Sequence, residues 1–307
     1  MKDNPTYSVI VPVYNSEETL LELVERIEST LLEIGESFEV LLIDDFSEDN
    51  SWQVLKKLQQ EKSYIRLIRF TRNFGQAAAS LCGIRKAKAE TMILIDDDLQ
   101  FPPEEIKKLI THFNPEEKYI LFGVPKKKQT SLLKKISSQT IERFLNAIVL
   151  RGKTKVRFSS FRILTKKRFD TENYNEQTMQ SAQVFFTMVS PHLMDWVEVE
   201  HEKRKKGNSN YNLLKKLKIA FELLLVTTEL PTYIFLSSVL IAVPILILIA
   251  VSIAIGYSLA ISNVLILAML SLSIVLLSLG FTALFIYLRT IYLRHLGADA
   301  YAIWEER

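Results

Sequence analysis

Cysteine is nearly absent from this chain: Cys82 is the single one in 307 residues, so no intrachain disulfide can staple the fold. It lies among alanines in a helical stretch and reads as a small core residue rather than a nucleophile. No glycine-rich turn follows the first strand-like run, which argues against the usual dinucleotide fold and against a P-loop. Charge is missing altogether from Tyr233 to Tyr287. That stretch divides at Gly256-Tyr257-Ser258 and Ser262-Asn263 into apolar runs Tyr233–Ile255 and Val264–Tyr287, each roughly 35 Å long as a helix and able to cross a hydrocarbon core of about 30 Å. Pro244 lies inside the first, where Ser side chains or neighbouring helices can satisfy the freed carbonyl.

The opening residues MKDNPTYSVIVPVYN are too short in apolar character, and too interrupted by Pro12, to make a signal peptide. The large amino-terminal part is therefore expected to stay in the cytoplasm. Lys203, Arg204, Lys205, Lys206, Lys215, Lys216 and Lys218 precede the first span, and Arg289 and Arg294 follow the second. The connecting loop is uncharged, so the positive-inside rule predicts a multi-pass protein of the inner (plasma) membrane with both termini cytoplasmic. The net charge of +3 says little, but its placement between Lys126 and Lys218 favours an anionic lipid bilayer over nucleic acid as partner.

What is present before the spans is an alternation of strand and helix. Strands are expected at Tyr7–Val13, Phe38–Ile43, Ile65–Phe70, Met92–Ile95 and Tyr119–Gly123, with later ones at Val156–Leu164 and Trp196–Val199. Asn15 or Ser16 is positioned to cap a helix that carries Leu20, Leu23, Val24, Ile27, Leu31 and Ile34 at helical spacing. A second helix carries Trp52, Leu55 and Leu58, and an Ala-rich one follows Gly75. This rhythm predicts an α/β class with a mostly parallel sheet and right-handed crossovers. Amphipathic stretches at 130–150 and 211–230 read as basic helices, the first equally as core or interfacial, the second as interfacial; 177–189 reads as a further helix. The expected organisation is a cytoplasmic domain over 1–230, a two-helix hairpin over 231–290 and a cytoplasmic tail over 291–307.

Chemistry concentrates in Thr91–Phe101, TMILIDDDLQF. An apolar strand runs straight into Asp96, Asp97 and Asp98, and the carboxyl ends of strands are where open α/β sheets bind ligands. Three carboxylates this close repel one another unless a cation sits among them, and hard oxygen ligands suit Mg2+ or Mn2+ with positions left open for phosphates. A solvated acidic turn fits this stretch equally well. The polar clusters Tyr14-Asn15 and Asp44-Asp45 end two other strands on the same expected rim, so nucleotide binding through a metal and carboxylates is what remains once glycine-rich loops are excluded.

The combination of VIVPVYN at 9–15, LLIDDFSEDNS at 41–51, RNFGQAAA at 72–79, IDDDLQ at 95–100 and RKKGNSNY at 204–211, followed by two spans, resembles the polyprenyl-phosphate glycosyltransferases, a group of family 2 enzymes that includes dolichol-phosphate mannose synthase and bactoprenol glucosyltransferases. The resemblance covers nearly the whole chain. It implies a GT-A nucleotide-sugar domain in which Pro12, Tyr14, Ile43 and Asp45 line the base pocket, Asp96 and Asp98 hold the metal with Gln100, Asp97 contacts the donor, and Arg204 reaches a phosphate. Its partners would be a nucleotide sugar, a UDP-sugar by the habit of bacterial relatives, and polyprenyl (undecaprenyl) phosphate; a homo-oligomer is also implied.

The chain departs from the family pattern in places. Ser16 replaces a common Glu, Asn210 a common Lys, and Pro125-Lys126 an expected Arg, leaving the basic run Lys126 to Lys128 to serve in its place. In SSFR, 159–162, Ser160 stands where many relatives carry an Asp on the acceptor side, while Arg162 is retained. A lipid monophosphate softens that loss: it is largely a dianion at neutral pH, so it needs no general base to attack the sugar carbon. Asp96, Asp98, Arg204, Ser160 and Arg162 are then the expected catalytic set of an inverting transferase serving envelope glycans. Two alternatives are carried: a membrane-anchored transferase acting directly on a glycan, and a non-catalytic nucleotide-sugar-binding scaffold. A processive synthase would need more spans and a Gln-x-x-Arg-Trp motif, which this chain lacks.

Overall fold

The computed structural model describes residues 4–126, 157–166, 191–202, 230–254, 263–295 and 302–307. The helices expected near 130–150, 177–189 and 211–230 lie outside the described residues, as do Arg204 and Asn210. Two compact units are present, Met1–Asn212 with Asp299–Arg307, and Leu213–Ala298.

In the first unit, β1 (Tyr7–Val13), β2 (Phe38–Asp44), β3 (Ile65–Phe70) and β4 (Thr91–Leu94) alternate with α1 (Leu20–Ile34), α2 (Ser51–Glu61) and α3 (Gln76–Lys86). After α4 (Ile106–His112) come β5 (Ile120–Pro125), β6 (Arg162–Thr165), β7 (Met194–Val199) and β8 (Ile303–Glu306). Among the described residues one sheet takes eight strands, in the order β7-β5-β6-β4-β1-β2-β3-β8. The run β3-β2-β1-β4 is parallel and so is β5 with β7, while β6 and β8 run antiparallel to their neighbours. The sheet is thus mixed rather than mostly parallel at its two flanks.

Both faces are covered, which is why the first strands are continuous apolar runs rather than alternating ones. Val9, Val11 and Val13 point into a core shared with α1, α2 and α4; Ile10, Leu41 and Ile43 point into a second core under α3. The second interface is close. A Cβ on Gly83 of α3 would lie 2.2 Å from Cγ2 of Ile10, a fully buried side chain. We predict that Gly83→Ala destabilises the protein by about 1–3 kcal/mol although Ala is the better helix former. A thermal midpoint equal to or above that of the parent would contradict this packing.

The expected boundaries of β1 and β3 match the structure, and β2, β4, β5 and β7 differ by one to three residues. The strand expected from Val156 is confined to β6, because only Arg162–Thr165 pairs with β4 and β5. Neither Asn15 nor Ser16 caps α1: the helix begins after Thr19, with Ser16 O accepting Thr19 N at 3.0 Å and Leu20 N at 3.3 Å. β8 was not anticipated at all.

The second unit holds α5 (Leu230–Ala254) and α6 (Asn263–His295). Within them, Thr232–Val251 and Met269–Leu288 are long and apolar enough to cross a membrane, with large side chains such as Leu236, Leu240, Phe281 and Phe285 exposed. The two helices pack closely where a Cβ on Gly280 would sit 1.9 Å from Ser238 Oγ, and Phe235 meets Phe281 edge-on at 5.5 Å.

Candidate active site

The four parallel strands end on one rim, and three of the turns that follow contain a non-glycine residue in the left-handed region: Asn15 (φ 53°), Phe46 (φ 62°) and Leu99 (φ 58°). Such conformations cost a bulky residue of the order of 1–2 kcal/mol each and persist where the surroundings over-determine them. They follow β1, β2 and β4, where they turn the chain so that polar side chains from separate strands meet.

Asp97 lies at the centre of that meeting. Its Oδ2 accepts the Tyr14 backbone N–H at 2.9 Å and the Ser16 hydroxyl at 2.5 Å, while its carbonyl oxygen accepts the Thr19 hydroxyl at 2.7 Å. Ser16, in place of an N-cap, therefore ties the end of β1 to the acidic turn. Asp96 accepts Gln76 Nε2 at 2.6 Å on one oxygen and Ser160 Oγ at 2.5 Å on the other. Asp98 Oδ1 accepts the Gln100 backbone N–H at 3.1 Å, closing its own turn. On β2, Asp45 uses both oxygens, taking Phe74 N at 2.7 Å and Gly75 N at 2.8 Å from the loop after β3. Gly75 has φ +94°, which a side chain would strain. Asp44 is buried and paired with Arg69, Nε to Oδ2 at 3.0 Å, and Arg69 lies over the rings of Phe46 and Trp52.

Ser160 and Arg162 arrive from the other side, because antiparallel pairing sets Arg162 opposite Leu94. Arg162 is buried and donates to Ser159 O at 3.3 Å; burial lowers its guanidinium to about 10 although Asp96 opposes this, so it stays cationic at neutral pH. Phe161 stacks on Phe101 at 5.1 Å, and His201 meets Phe101 edge-on at 4.9 Å. Glu202 N donates to Gln100 O at 2.8 Å, which fixes the segment after β7 against the acidic turn.

The remaining sequence-predicted residues separate. Pro12 is buried in β1 opposite Ile43, and Tyr14 stands 40% exposed at the strand end. The Ile43 side chain is fully buried in the core beneath α3. Lys126 pairs with Glu200 on the surface, which raises the Lys126 pKa. Phe74, Gly75 and Gln76 belong to the RNFGQAAA stretch noted in the sequence but were given no role there, and Thr19 was not singled out, since each acts through a contact to a residue at least 20 positions away.

Among the described residues no group of three or more His, Cys, Asp or Glu is arranged as a metal cage. The donor chemistry nevertheless fits a divalent cation of the Mg2+ type, which uses one or two carboxylates and takes its other ligands from phosphates and water. Asp96 and Asp98 are the carboxylates that could serve it, and burial followed by the neighbouring Asp98 charge raises the Asp96 pKa, a penalty a cation would remove. Burial also pushes Asp97 up to about 7 against its bonds to Ser16 and Tyr14, and Asp45 up to about 6 against those to Phe74 and Gly75.

These shifts predict a pH dependence. A carboxyl whose folded pKa is raised binds protons in the folded state first, so stability is lost as pH climbs from about 4 to about 7; for Asp45 the loss is on the order of 3 kcal/mol. Glu104 and Glu306, lowered by bonds to Arg26 and Lys86, respond only below this window. The thermal midpoint of the metal-free protein is therefore expected to rise as pH falls from 8 to about 5.5, and Mn2+ is expected to flatten that slope. A midpoint that falls steadily over the same range would contradict it.

Comparison with known proteins places this geometry in context. The family model described as glycosyl transferase family 2 matches residues 8–171, more than half of the chain. Glucosyl-3-phosphoglycerate synthase from Mycobacterium tuberculosis, solved with uridine diphosphate, superposes with a TM-score of 0.52 at 13% identity over 73% of this chain and 79% of its own. The same enzyme solved with Mn2+ and UDP-glucose gives 0.52 at 13% identity, over 72% and 77%. A further mycobacterial protein of similar fold gives 0.50 at 12% identity, over 72% and 73%. With its GT-A fold and an acidic turn at the end of the fourth strand, the chain belongs to glycosyl transferase family 2.

Proposed function

We propose that this glycosyltransferase is an inverting enzyme that moves a sugar from a UDP-sugar to polyprenyl phosphate at the cytoplasmic face of the inner membrane. The observation that carries the reading is the convergence of Asp45, Asp96, Asp97 and Asp98 on one rim of a chain that also holds two helices long enough to span a bilayer. β8 supports the orientation: it follows both apolar helices yet lies in the same sheet as β1–β4, so an even number of membrane crossings separates them. UDP and Mn2+ are named with the structural neighbours, which supports a uridine donor and a divalent ion here.

In this reading Asp45 faces the base. Its two oxygens carry about four lone-pair sites, of which the Phe74 and Gly75 N–H groups use two, leaving acceptors for a base N–H. Pro12, Tyr14 and the backbone at Ile43 flank it, and Asp97 orients the ribose side through the fixed end of β1. Asp96 and Asp98, aided by Gln100, would hold Mg2+ or Mn2+, whose chemistry is Lewis-acid neutralisation of the donor diphosphate. Ser160 and Arg162 keep Asp96 aimed and charge-balanced, while Arg204 and Lys126 are assigned to phosphates. A phosphate oxygen of the lipid forms the new bond to the anomeric carbon as the carbon–oxygen bond to the diphosphate breaks, and UDP leaves with that electron pair. No side chain has to accept a proton, because the lipid phosphate arrives as a dianion.

A water-soluble phosphate-bearing acceptor is the second reading, since a neighbour has been solved with phosphoglyceric acid. Radiolabelled UDP-sugars given with Mg2+ and undecaprenyl phosphate separate the two. Label extracted into organic solvent is the expected result; label found only in water-soluble product overturns the lipid acceptor, and binding without turnover overturns the enzymatic reading.

A further inference from the structure

We propose that the C-terminal strand β8 is a positioning element for the donor-base loop, so that donor affinity depends on residues that follow both apolar helices. This rests on the assignment of Asp45 to the donor base. The loop Thr71–Gly75 continues directly from β3 and supplies the two N–H groups that hold the Asp45 carboxylate. On one side β3 is paired with β2; its other side would be an open edge without β8.

β8 closes that edge up to the loop itself. Thr71 N donates to Ala302 O at 2.9 Å, three residues before Phe74, while Leu67 and Arg307 exchange N–H···O bonds at 3.0 and 2.9 Å at the other end. The ladder shifts between Arg69 and Phe70, where Ile303 packs against the core that contains Ile68 and Phe70. Arg69, paired in register with Glu305, reaches over to Asp44 and donates to Ser47 O at 3.2 Å, so the β2 turn that carries Asp45 is held from the same strand.

A strand of four residues is a weak attachment by its ladder alone, and side chains fasten it. Glu306 takes Lys86 Nζ at 2.7 Å and Arg66 Nη2 at 3.3 Å. Arg66 continues to the buried Glu39 at 3.0 Å, which accepts Ser8 Oγ at 2.6 Å and Lys88 N at 2.6 Å. One polar chain therefore crosses β1, β2, β3 and β8 beneath the site. Removing β8 opens Thr71 N and loosens the Phe74–Gly75 clamp, while the Asp96–Asp98 turn lies beyond β2 and β1 and keeps its contacts.

The test compares the full chain, a chain lacking residues 302–307, and the full-length variants Glu306→Ala and Glu306→Gln, in UDP and GDP binding by calorimetry and in transfer kinetics. Loss of β8 should weaken nucleoside diphosphate binding and raise donor KM about tenfold, with kcat at saturating donor within about twofold. Added peptide AIWEER should restore affinity. Glu306→Ala should give a smaller rise of about threefold, and Glu306→Gln, which keeps an acceptor, should stay nearer the parent. Should the shortened chain fail to fold, Glu306→Ala decides. Equal affinity in all four chains, or a fall in kcat at unchanged KM, overturns the proposal. If the parent binds neither nucleotide, the assignment of the donor site fails and the proposal goes with it.

Discussion

Asp98→Asn should abolish measurable transfer, with kcat lower by about a thousandfold or more, while leaving the protein folded. Asn retains an oxygen that can accept the Gln100 N–H, so the turn after β4 survives. What disappears is one of the two carboxylate charges assigned to the cation, and with it the means of neutralising a departing diphosphate. The substitution also removes a like charge that raises Asp96 and Asp97, so the metal-free thermal midpoint should be unchanged or higher. Loss of activity together with retained stability separates chemistry from folding. A variant that keeps a tenth of parental kcat would place the cation elsewhere.

Asp45→Ala should raise donor KM by about a hundredfold and move the thermal midpoint little. Two part-buried N–H groups, Phe74 and Gly75, lose their acceptor, and with partial access to water each costs about 1 kcal/mol, the low end of the range for an unpaired donor. The burial penalty carried by the Asp45 carboxylate is relieved at the same time, which offsets that cost. The effect on affinity has no such offset, because the acceptor proposed to face the base and the conformation of the loop go together. Asp45→Asn keeps one acceptor oxygen and should fall between the two in steady-state kinetics with varied donor. Equal donor KM in all three proteins would remove Asp45 from the base site.

Much of the sheet could be read from residue pattern. β1 was bounded correctly because it is an apolar run closed by a polar turn, β3 because Ile65, Leu67, Ile68 and Phe70 are β-type apolar residues that end at one, and the acidic turn after β4 stood out as three adjacent carboxylates. Spatial partners could not be read this way. Nothing local ties Ser16 to Asp97, 81 positions on, or Gln76 to Asp96, and a serine after a strand looks like a helix cap. β8 escaped notice because AIWEER is short and charged, and its stability comes from an edge formed by Ile65–Phe70 more than 200 residues earlier. The turns at Phe46 and Leu99 carry no glycine to announce a left-handed backbone, so that strain became visible only in the structure.

In the proposed mechanism the carboxylates at the end of β4 bind the donor diphosphate through a divalent cation. Calorimetric titration of the purified full-length protein with a UDP-sugar, in Mn2+ and again in excess EDTA, tests it most directly. Saturable binding is expected in Mn2+, weaker by at least about tenfold in EDTA and lost in the same measure in Asp98→Asn. Donor affinity that is the same with and without the chelator would contradict it.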